Sequence, residues 1–143
     1  VCGPRQDPKS EAGVVSIFVS RLLAGQPLSI FGDGKQTRDY VSVKDVARAN
    51  VLASSAALPA DADHDARAFN IATGVERTVL ELAEAAGRVT GRKPELRMEA
   101  ARPGEILRSA LDVKKAAGVL GWRPEVSFDA GLAMLMDWFR TEG

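Results

Sequence analysis

Apolar residues recur at helical spacing in two stretches of the first half of the chain. The first covers residues 14–24, where Gly25 and Pro27 supply a stop. The second, residues 44–58, is rich in alanine and leucine and carries Asp45 in its first turn, where a carboxylate suits the helix dipole. We therefore predict a helix in each stretch.

Capping residues mark further helices in the second half of the chain. Thr78 and Glu81 have the spacing of a capping box, and an apolar face follows as far as about Gly91. Asp112 and Ser127 can each cap another helix, the last of which has an apolar face near the end of the chain. These signals predict helices over 79–91, 113–120 and 128–139.

Short apolar runs predict strands between the helices. Residues 28–31 form one such run, the Gly32-Asp33-Gly34 turn ends it, and residues 40–43 alternate as a second strand. Residues 69–72 and 95–98 predict two more. Helices that alternate with short strands indicate an α/β or α+β fold, and so few strands indicate that some need a partner sheet.

The size of the chain favours one domain over residues 1–143, because 45% hydrophobic residues are enough for one core and the chain is short for two. Residues 59–67 are polar and acidic, which predicts an exposed connector inside that domain. Lys+Arg and Asp+Glu are both 19, so the net charge gives no footprint for nucleic acid or an anionic membrane. We expect a small molecule or a protein surface as the partner.

The single cysteine, Cys2, cannot form an internal disulfide, and no apolar run approaches the length of a membrane span. These features predict a soluble protein of the cytoplasm. The chain opens at Val1 without a methionine or a secretory leader. We expect this start to lie inside a longer protein.

Two arginines in short motifs are the strongest chemical signal. Arg38 lies in Gly32-Asp33-Gly34-Lys35-Gln36-Thr37-Arg38-Asp39-Tyr40, and Arg102 lies in Ala101-Arg102-Pro103-Gly104-Glu105. A guanidinium fork matches phosphate oxygens bidentately, so two forks that converge from distant segments can clamp a diphosphate. The alternative is that each arginine lies on the surface or pairs with a neighbouring acid such as Asp39 or Glu105.

Other candidate chemistry is weak, and we assign no catalytic, cofactor-binding or metal-binding residue. No G-x-G-x-x-G run follows a strand and opens a helix, as a dinucleotide loop requires. Tyr40 and Lys44 formally match the Tyr-x-x-x-Lys pair of short-chain dehydrogenases, but an extended segment would hold them roughly 13 Å apart. His64 is the sole histidine and lies in the acidic connector, where a solvated loop residue is the better interpretation.

Several motifs, taken in order, resemble the C-terminal, substrate-binding half of NAD-dependent nucleotide-sugar epimerases and dehydratases of the extended short-chain dehydrogenase family. The closest resemblance is to UDP-glucose 4-epimerases, and it covers almost the whole chain but only about half of such an enzyme. The motifs are Val1 to Pro8, Ile30 to Gly34, Gln36 to Val41, Asp45 to Ala47, Phe69 to Gly74, Ala101 to Glu105 and Leu120 to Pro124.

The resemblance implies a small mixed sheet with flanking helices, without the Rossmann half, and a UDP-sugar or related nucleotide sugar as ligand. Arg38 and Arg102 would hold the diphosphate, and Glu105 would accept from a ribose hydroxyl. The segment Ser29, Ile30 and Phe31 would lie along the uracil, with backbone groups on its edge, and Tyr40 would be an aromatic near the same pocket. NAD would be bound mainly by the N-terminal half of the complete enzyme, which would be a homodimer.

The sequence departs from the family in two ways. The dinucleotide loop and the catalytic tyrosine and lysine lie, in the family, upstream of Val1, so the chain alone is expected to be inactive. Cys2 replaces the tyrosine that is usual in this motif, close to where the sugar or nicotinamide would lie.

Three alternatives to the epimerase stay open. A dTDP- or UDP-sugar 4,6-dehydratase or a decarboxylase is poorly distinguished by this half, because such enzymes usually carry an extra catalytic acid in the other half. A stand-alone nucleotide-sugar-binding module would require the chain to be a complete gene product. A truncated remnant without a role of its own would be marginally stable, because its strands lack a full sheet.

Overall fold

The structure is a computed structural model and describes residues 1–6, 13–58 and 64–142. Over these ranges the chain forms helices and short strands in alternation, which confirms the predicted α/β fold class. The helices are α1 (Val14–Leu23), α2 (Val43–Ser55), α3 (His64–Arg67), α4 (Val79–Thr90), α5 (Lys114–Leu120) and α6 (Phe128–Thr141). The strands are β1 (Leu28–Phe31), β2 (Thr37–Asp39), β3 (Glu76–Thr78), β4 (Leu96–Glu99) and β5 (Arg108–Ser109).

The strands of the described residues form two small sheets. In the first, β1 pairs in parallel with β4, so that Leu28 lies opposite Leu96. In the second, β2 is central, antiparallel to β3 on one side and parallel to β5 on the other. Mixed pairing with flanking helices is the arrangement that the resemblance implied. Because β1 and β2 are consecutive, the turn between them joins the two sheets.

The main core lies where α1, α4 and α6 pack together against β1. Each element contributes fully buried apolar side chains, among them Val19, Leu28, Leu82 and Leu132. Each side chain of this kind contributes about 1.5–3 kcal/mol when it leaves water. The core therefore fixes the position of β1, including its last residue, Phe31.

A second, smaller core surrounds Trp122, which is fully buried against α2 and α5. Its indole nitrogen donates to the backbone carbonyl of Asp45 over 2.9 Å. The Asp45 carboxylate accepts from the backbone amides of Glu125 and Val126, each over 3.0 Å, and from Arg48. Burial alone would raise the pKa of Asp45, but these donors outweigh it and hold the pKa below its ordinary value.

The predicted caps are confirmed with one adjustment. Thr78 and Glu81 form both hydrogen bonds of the capping box, and the Ser127 hydroxyl accepts from the Ala130 amide. Asp112, by contrast, lies one residue before the N-cap of α5, and its carboxylate accepts from the Lys114 amide. It therefore closes a local turn that leads into the helix.

Two strand predictions were wrong. Residues 69–72 form no strand, because their apolar side chains pack into the second core while the hydrogen-bonded ladder with β2 is made by 76–78 instead. The predicted strand over 40–43 is displaced: β2 ends at Asp39, and Val43 already begins α2 behind the N-cap Ser42. Within residues 40–43, the β-pairing is limited to an isolated parallel bridge between Ser42 and Cys2.

Short polar elements were not predicted at all. Strands β3 and β5 carry no apolar alternation, so no periodicity marked them. Of the predicted connector 59–67, residues 59–63 lie outside the described residues. Residues 64–67 form the short, exposed helix α3, although the composition had indicated a loop.

The turn between β1 and β2 requires glycine at position 34. Gly34 has a φ of +72°, and a Cβ there would lie 2.8 Å from Leu80 Cγ and 2.9 Å from Ile30 Cγ2. Its carbonyl and that of Gln36 accept the amides of Leu80 and Val79 in the first turn of α4, over 3.2 Å each. The turn is therefore packed against the main core as well as bent.

Replacement of Gly34 by alanine should destabilise the chain more than the same change at Gly91. Both glycines have similar φ values, +72° and +69°, but a Cβ at Gly91 meets nothing within 4 Å. Gly91→Ala should cost the left-handed strain alone, about 1–2 kcal/mol. Gly34→Ala should add an overpacking cost of about 1–3 kcal/mol. Urea unfolding of both variants checks this, and equal midpoints would contradict it.

The stability of the three-stranded sheet should fall in acid through Glu76. Hydrogen bonds from Arg108 on β5 and then from Thr37 on β2 lower the pKa of Glu76 from 4.5 to about 2. Because the folded pKa is depressed, the stabilisation is complete above about pH 4.5 and is lost as the pH falls towards 2. Glu76→Gln should flatten this part of the pH profile of urea unfolding, whereas an unchanged profile would show that Glu76 contributes nothing.

Candidate functional site

A cavity of about 540 Å³ opens where the two sheets meet. Residues from α1, from the end of β1, from β2 and from the loop before β5 line it. Of the residues proposed from the sequence, Ser29, Phe31, Arg38, Tyr40, Arg102 and Glu105 lie on its wall. A volume of this size is typical of small-molecule sites.

Ile30 is the proposed site residue that the structure places elsewhere. Its side chain is fully buried in the main core, since alternate residues of β1 point to opposite faces. Any contact of Ile30 with a ligand in this cavity would therefore have to come from its backbone.

The Arg38 guanidinium is held from two sides. Its NH1 donates to the carbonyl oxygens of Thr37 and Ile106, both over 2.7 Å, and its NH2 lies 4.0 Å from the Glu105 carboxylate. Thr37 lies on β2 beside Arg38, whereas Ile106 lies 68 residues away in the loop before β5. The fork is thus oriented before any ligand arrives.

Arg102 is oriented by an aromatic ring instead. Its guanidinium carbon lies 3.7 Å from the ring centroid of Phe31, at the end of β1. A cation over the negative face of a ring is attracted by the quadrupole, an interaction that arginine makes often. The two arginines that the motifs singled out are therefore brought to one cavity from distant segments.

Two further lining residues were missed by the sequence analysis. Gln36 is buried, and its side-chain nitrogen donates to the Phe31 carbonyl over 2.9 Å and to Glu105 Oε1 over 3.3 Å. Arg21, in the last turn of α1, donates to the Ser29 hydroxyl over 3.3 Å. Gln36 could have been proposed as a site residue because it lies in the same motif as Arg38. No local feature of the sequence indicated a role for Arg21.

The acids near the cavity differ in their engagement. Asp39 accepts from the amide and hydroxyl of Thr73 and from the amide of Gly74, over 2.6–2.8 Å, so it serves to hold that loop. Glu105 is the acid whose carboxylate faces the arginines. Arg21, Arg38 and Arg102 line the wall against these two carboxylates. The cavity therefore suits an anionic ligand that carries hydroxyl groups.

Comparison with known proteins identifies the relationship. The profile of the family described as GDP-mannose 4,6 dehydratase matches residues 1–135. The chain belongs to this family. It is 44% identical to the UDP-glucose 4-epimerase of Mycolicibacterium smegmatis, over 99% of this chain and 44% of that protein. The chain thus spans less than half the length of the curated relatives it matches.

Solved structures agree with the family. The UDP-glucose 4-epimerase of Thermotoga maritima, solved with UDP-glucose, matches with a TM-score of 0.86 and 44% identity over 96% of this chain and 42% of that chain. The Thermus thermophilus UDP-glucose 4-epimerase, solved with NAD, matches with a TM-score of 0.82 and 37% identity over 99% and 44%. The fold is therefore that of the C-terminal part of an extended short-chain dehydrogenase, as the resemblance implied.

Tyr40 is not arranged like the catalytic tyrosine of that superfamily. It lies between β2 and α2, its ring stacks on Phe128 at 5.4 Å, and burial raises the pKa of its phenol to about 12. A catalytic tyrosine needs a lowered pKa and a lysine one helical turn away. Tyr40 and Lys44 meet neither requirement, since Tyr40 precedes the helix on which Lys44 lies.

Cys2, which stands where the family usually has tyrosine, is buried in the main core and does not line the cavity. Its backbone amide and carbonyl bond to the carbonyl of Val41 and the amide of Val43, each over 2.8 Å. Burial raises the pKa of the thiol, so the side chain is neutral at ordinary pH. In this structure Cys2 is a packing residue.

The part of the chain that the structure describes contains neither a metal-ligand group nor a membrane-spanning helix. No group of three or more His, Cys, Asp or Glu side chains in that part of the chain could hold a metal ion. None of its helices combines the length and apolar character needed to cross a membrane.

Proposed function

We propose that this chain forms the nucleotide-sugar-binding part of an NAD-dependent UDP-sugar 4-epimerase of the UDP-glucose/UDP-galactose type. The supporting observation is that Arg38 converges on one cavity with Arg102 and Glu105, which lie in a motif far from it in sequence. Two guanidinium forks are suitable donors for a diphosphate, and a carboxylate is a suitable acceptor for a ribose hydroxyl. Relatives named as UDP-glucose 4-epimerases are 42–44% identical to this chain.

In this proposal the chain binds and orients the substrate. Arg38 and Arg102 hold the diphosphate, Glu105 accepts from the ribose, and the segment from Ser29 to Phe31 lies along the uracil. Neutralising two phosphates at fixed positions anchors the nucleotide, so that the sugar beyond it is presented at the mouth of the cavity. The pair Arg38 and Glu105 is already in place, which lowers the entropic cost of binding.

The residues described here do not fit NAD, because they include no Gly-rich loop between a strand and a helix. The cofactor would be bound by another portion of a complete enzyme. We propose that such an enzyme is a cytoplasmic homodimer and that the 143 residues alone are inactive.

A sugar-nucleotide 4,6-dehydratase is the second candidate, because the matching family takes its description from one. A stand-alone binding module is the candidate from another class; it would bind UDP-sugar with the same residues and catalyse nothing. The identity to epimerases places the first proposal ahead of both.

Mass analysis of the product distinguishes the two enzymes. The complete enzyme, supplied with NAD and UDP-glucose, should form UDP-galactose, an isomer of unchanged mass. A dehydratase would release a product that is lighter by one water. Tight UDP-glucose binding without turnover by the complete gene product would favour the binding module and contradict the epimerase.

The diphosphate clamp predicts a loss of affinity when either arginine is removed. Arg38→Ala and Arg102→Ala in the complete enzyme should each weaken UDP-glucose binding by about 1.5–3 kcal/mol, as for a hydrogen bond to a charged group. Calorimetry measures this as a Kd raised roughly 10- to 150-fold.

Arg88→Ala is the matched control for this experiment. Arg88 is exposed, pairs with Asp129 over 3.3 Å and does not line the cavity, so its removal should leave the Kd unchanged. Normal binding by both Arg38→Ala and Arg102→Ala would show that the clamp is wrong.

A further inference from the structure

Gln36 joins two parts of the cavity wall that are far apart in sequence. Its amide nitrogen donates to the carbonyl of Phe31, five residues earlier, and to Glu105 Oε1, 69 residues later. Gln36 is only 7% exposed and the Glu105 side chain is 26% exposed, so these contacts are partly shielded from water. A shielded hydrogen bond is costly to leave unmade, which gives the arrangement rigidity.

The two acceptors determine which way the Gln36 amide faces. A carbonyl oxygen and a carboxylate oxygen both need a donor, and the amide offers donors only on its nitrogen. The NH₂ group must therefore face Phe31 and Glu105 together. The side chain cannot turn over without placing its own oxygen against both acceptors.

This orientation makes the two oxygens of Glu105 unequal. Oε1 accepts from Gln36 and lies 4.0 Å from Arg38 NH2, whereas Oε2 has no hydrogen bond to any residue that the structure describes. A carboxylate held by one oxygen presents the other in a defined direction. In the proposed function, that second oxygen is the acceptor for the ribose.

We infer that Gln36 is a positioning residue of the nucleoside subsite, which aims the Glu105 carboxylate at the ribose hydroxyls by tying it to the end of β1. The inference rests on the proposed function. Gln36 acts through Glu105, and the Phe31 carbonyl sets the distance between the base side and the ribose side of the site. The consequence is selectivity for a nucleotide that carries ribose hydroxyls.

The test compares UDP with 2′,3′-dideoxy-UDP as probes, with binding to the complete enzyme measured by calorimetry. Wild-type enzyme should prefer UDP. Gln36→Met keeps the length of the side chain but removes the donor, and should reduce the preference about tenfold, as for one hydrogen bond to a charged group. With UDP-glucose, the KM should rise while kcat changes little.

Two further variants separate positioning from a general loss of structure. Lys35→Met changes an exposed residue of the same turn and should bind both probes like wild type. Glu105→Ala should abolish the preference for UDP over 2′,3′-dideoxy-UDP. In the double variant, Gln36→Met should then cause no further decrease in that preference. Should Gln36→Met fail to fold, Gln36→Leu also removes the donor with a similar side-chain volume and should lose the preference too.

Each other outcome overturns the inference. Equal weakening of both probes in Gln36→Met would make Gln36 a merely structural residue. An unchanged preference would show that Glu105 needs no help. Failure of the wild-type enzyme to bind UDP at all would instead refute the proposed function, which the calorimetry shows before any variant is made.

Discussion

The turn between β1 and β2 is the constraint on which the rest of the structure depends. It carries the chain from one sheet to the other. A side chain at Gly34 would clash with Leu80 and Ile30. Its carbonyls also accept two amides from the first turn of α4, which would otherwise lack partners. The turn is thus attached to the core from which β1 rises. The cavity lies beside this turn, since β1, β2 and Gln36 all contribute to its lining.

Acidic side chains divide between building the fold and serving the cavity. Glu76 connects all three strands of the second sheet through Thr37 and Arg108. Asp45 holds the segment before α6 by accepting two backbone amides, and Asp39 does the same for the loop at Thr73. Glu105 alone among these four keeps an oxygen without a hydrogen bond to the described residues. Although the net charge of the chain is zero, the lining of the cavity contains three arginines and two acidic residues.

The two arginines of the cavity are restrained by different interactions. Arg38 is oriented by two backbone carbonyls, and its NH2 lies 4.0 Å from the Glu105 carboxylate. Arg102 lies over the ring of Phe31, which is an apolar partner. Both cations are oriented in advance, so little conformational entropy is lost when an anion binds. This shared property connects the sequence motifs to the physical chemistry of the site.

The sequence by itself determined every described helix except the short α3, most of the caps and the two arginines that line the cavity, because periodicity, the capping box and the arginine motifs are local signals. It failed for β3 and β5, whose residues Glu76–Thr78 and Arg108–Ser109 become strands only because β2 lies between them. It also misplaced the strand at 40–43, where the chain pairs briefly with Cys2 and then starts α2.

The convergence of the site was decided by tertiary structure alone. Arg38 and Glu105 are 67 positions apart, and no local rule states that one face of a cavity will hold both. The roles of Gln36 and Arg21 follow from partners that only folding brings near, and the burial of Ile30 follows from the side of β1 that meets the core. The local sequence therefore identifies which side chains can bind an anion. The distances between those side chains are set by long-range packing, because they depend on how separate helices and strands contact one another.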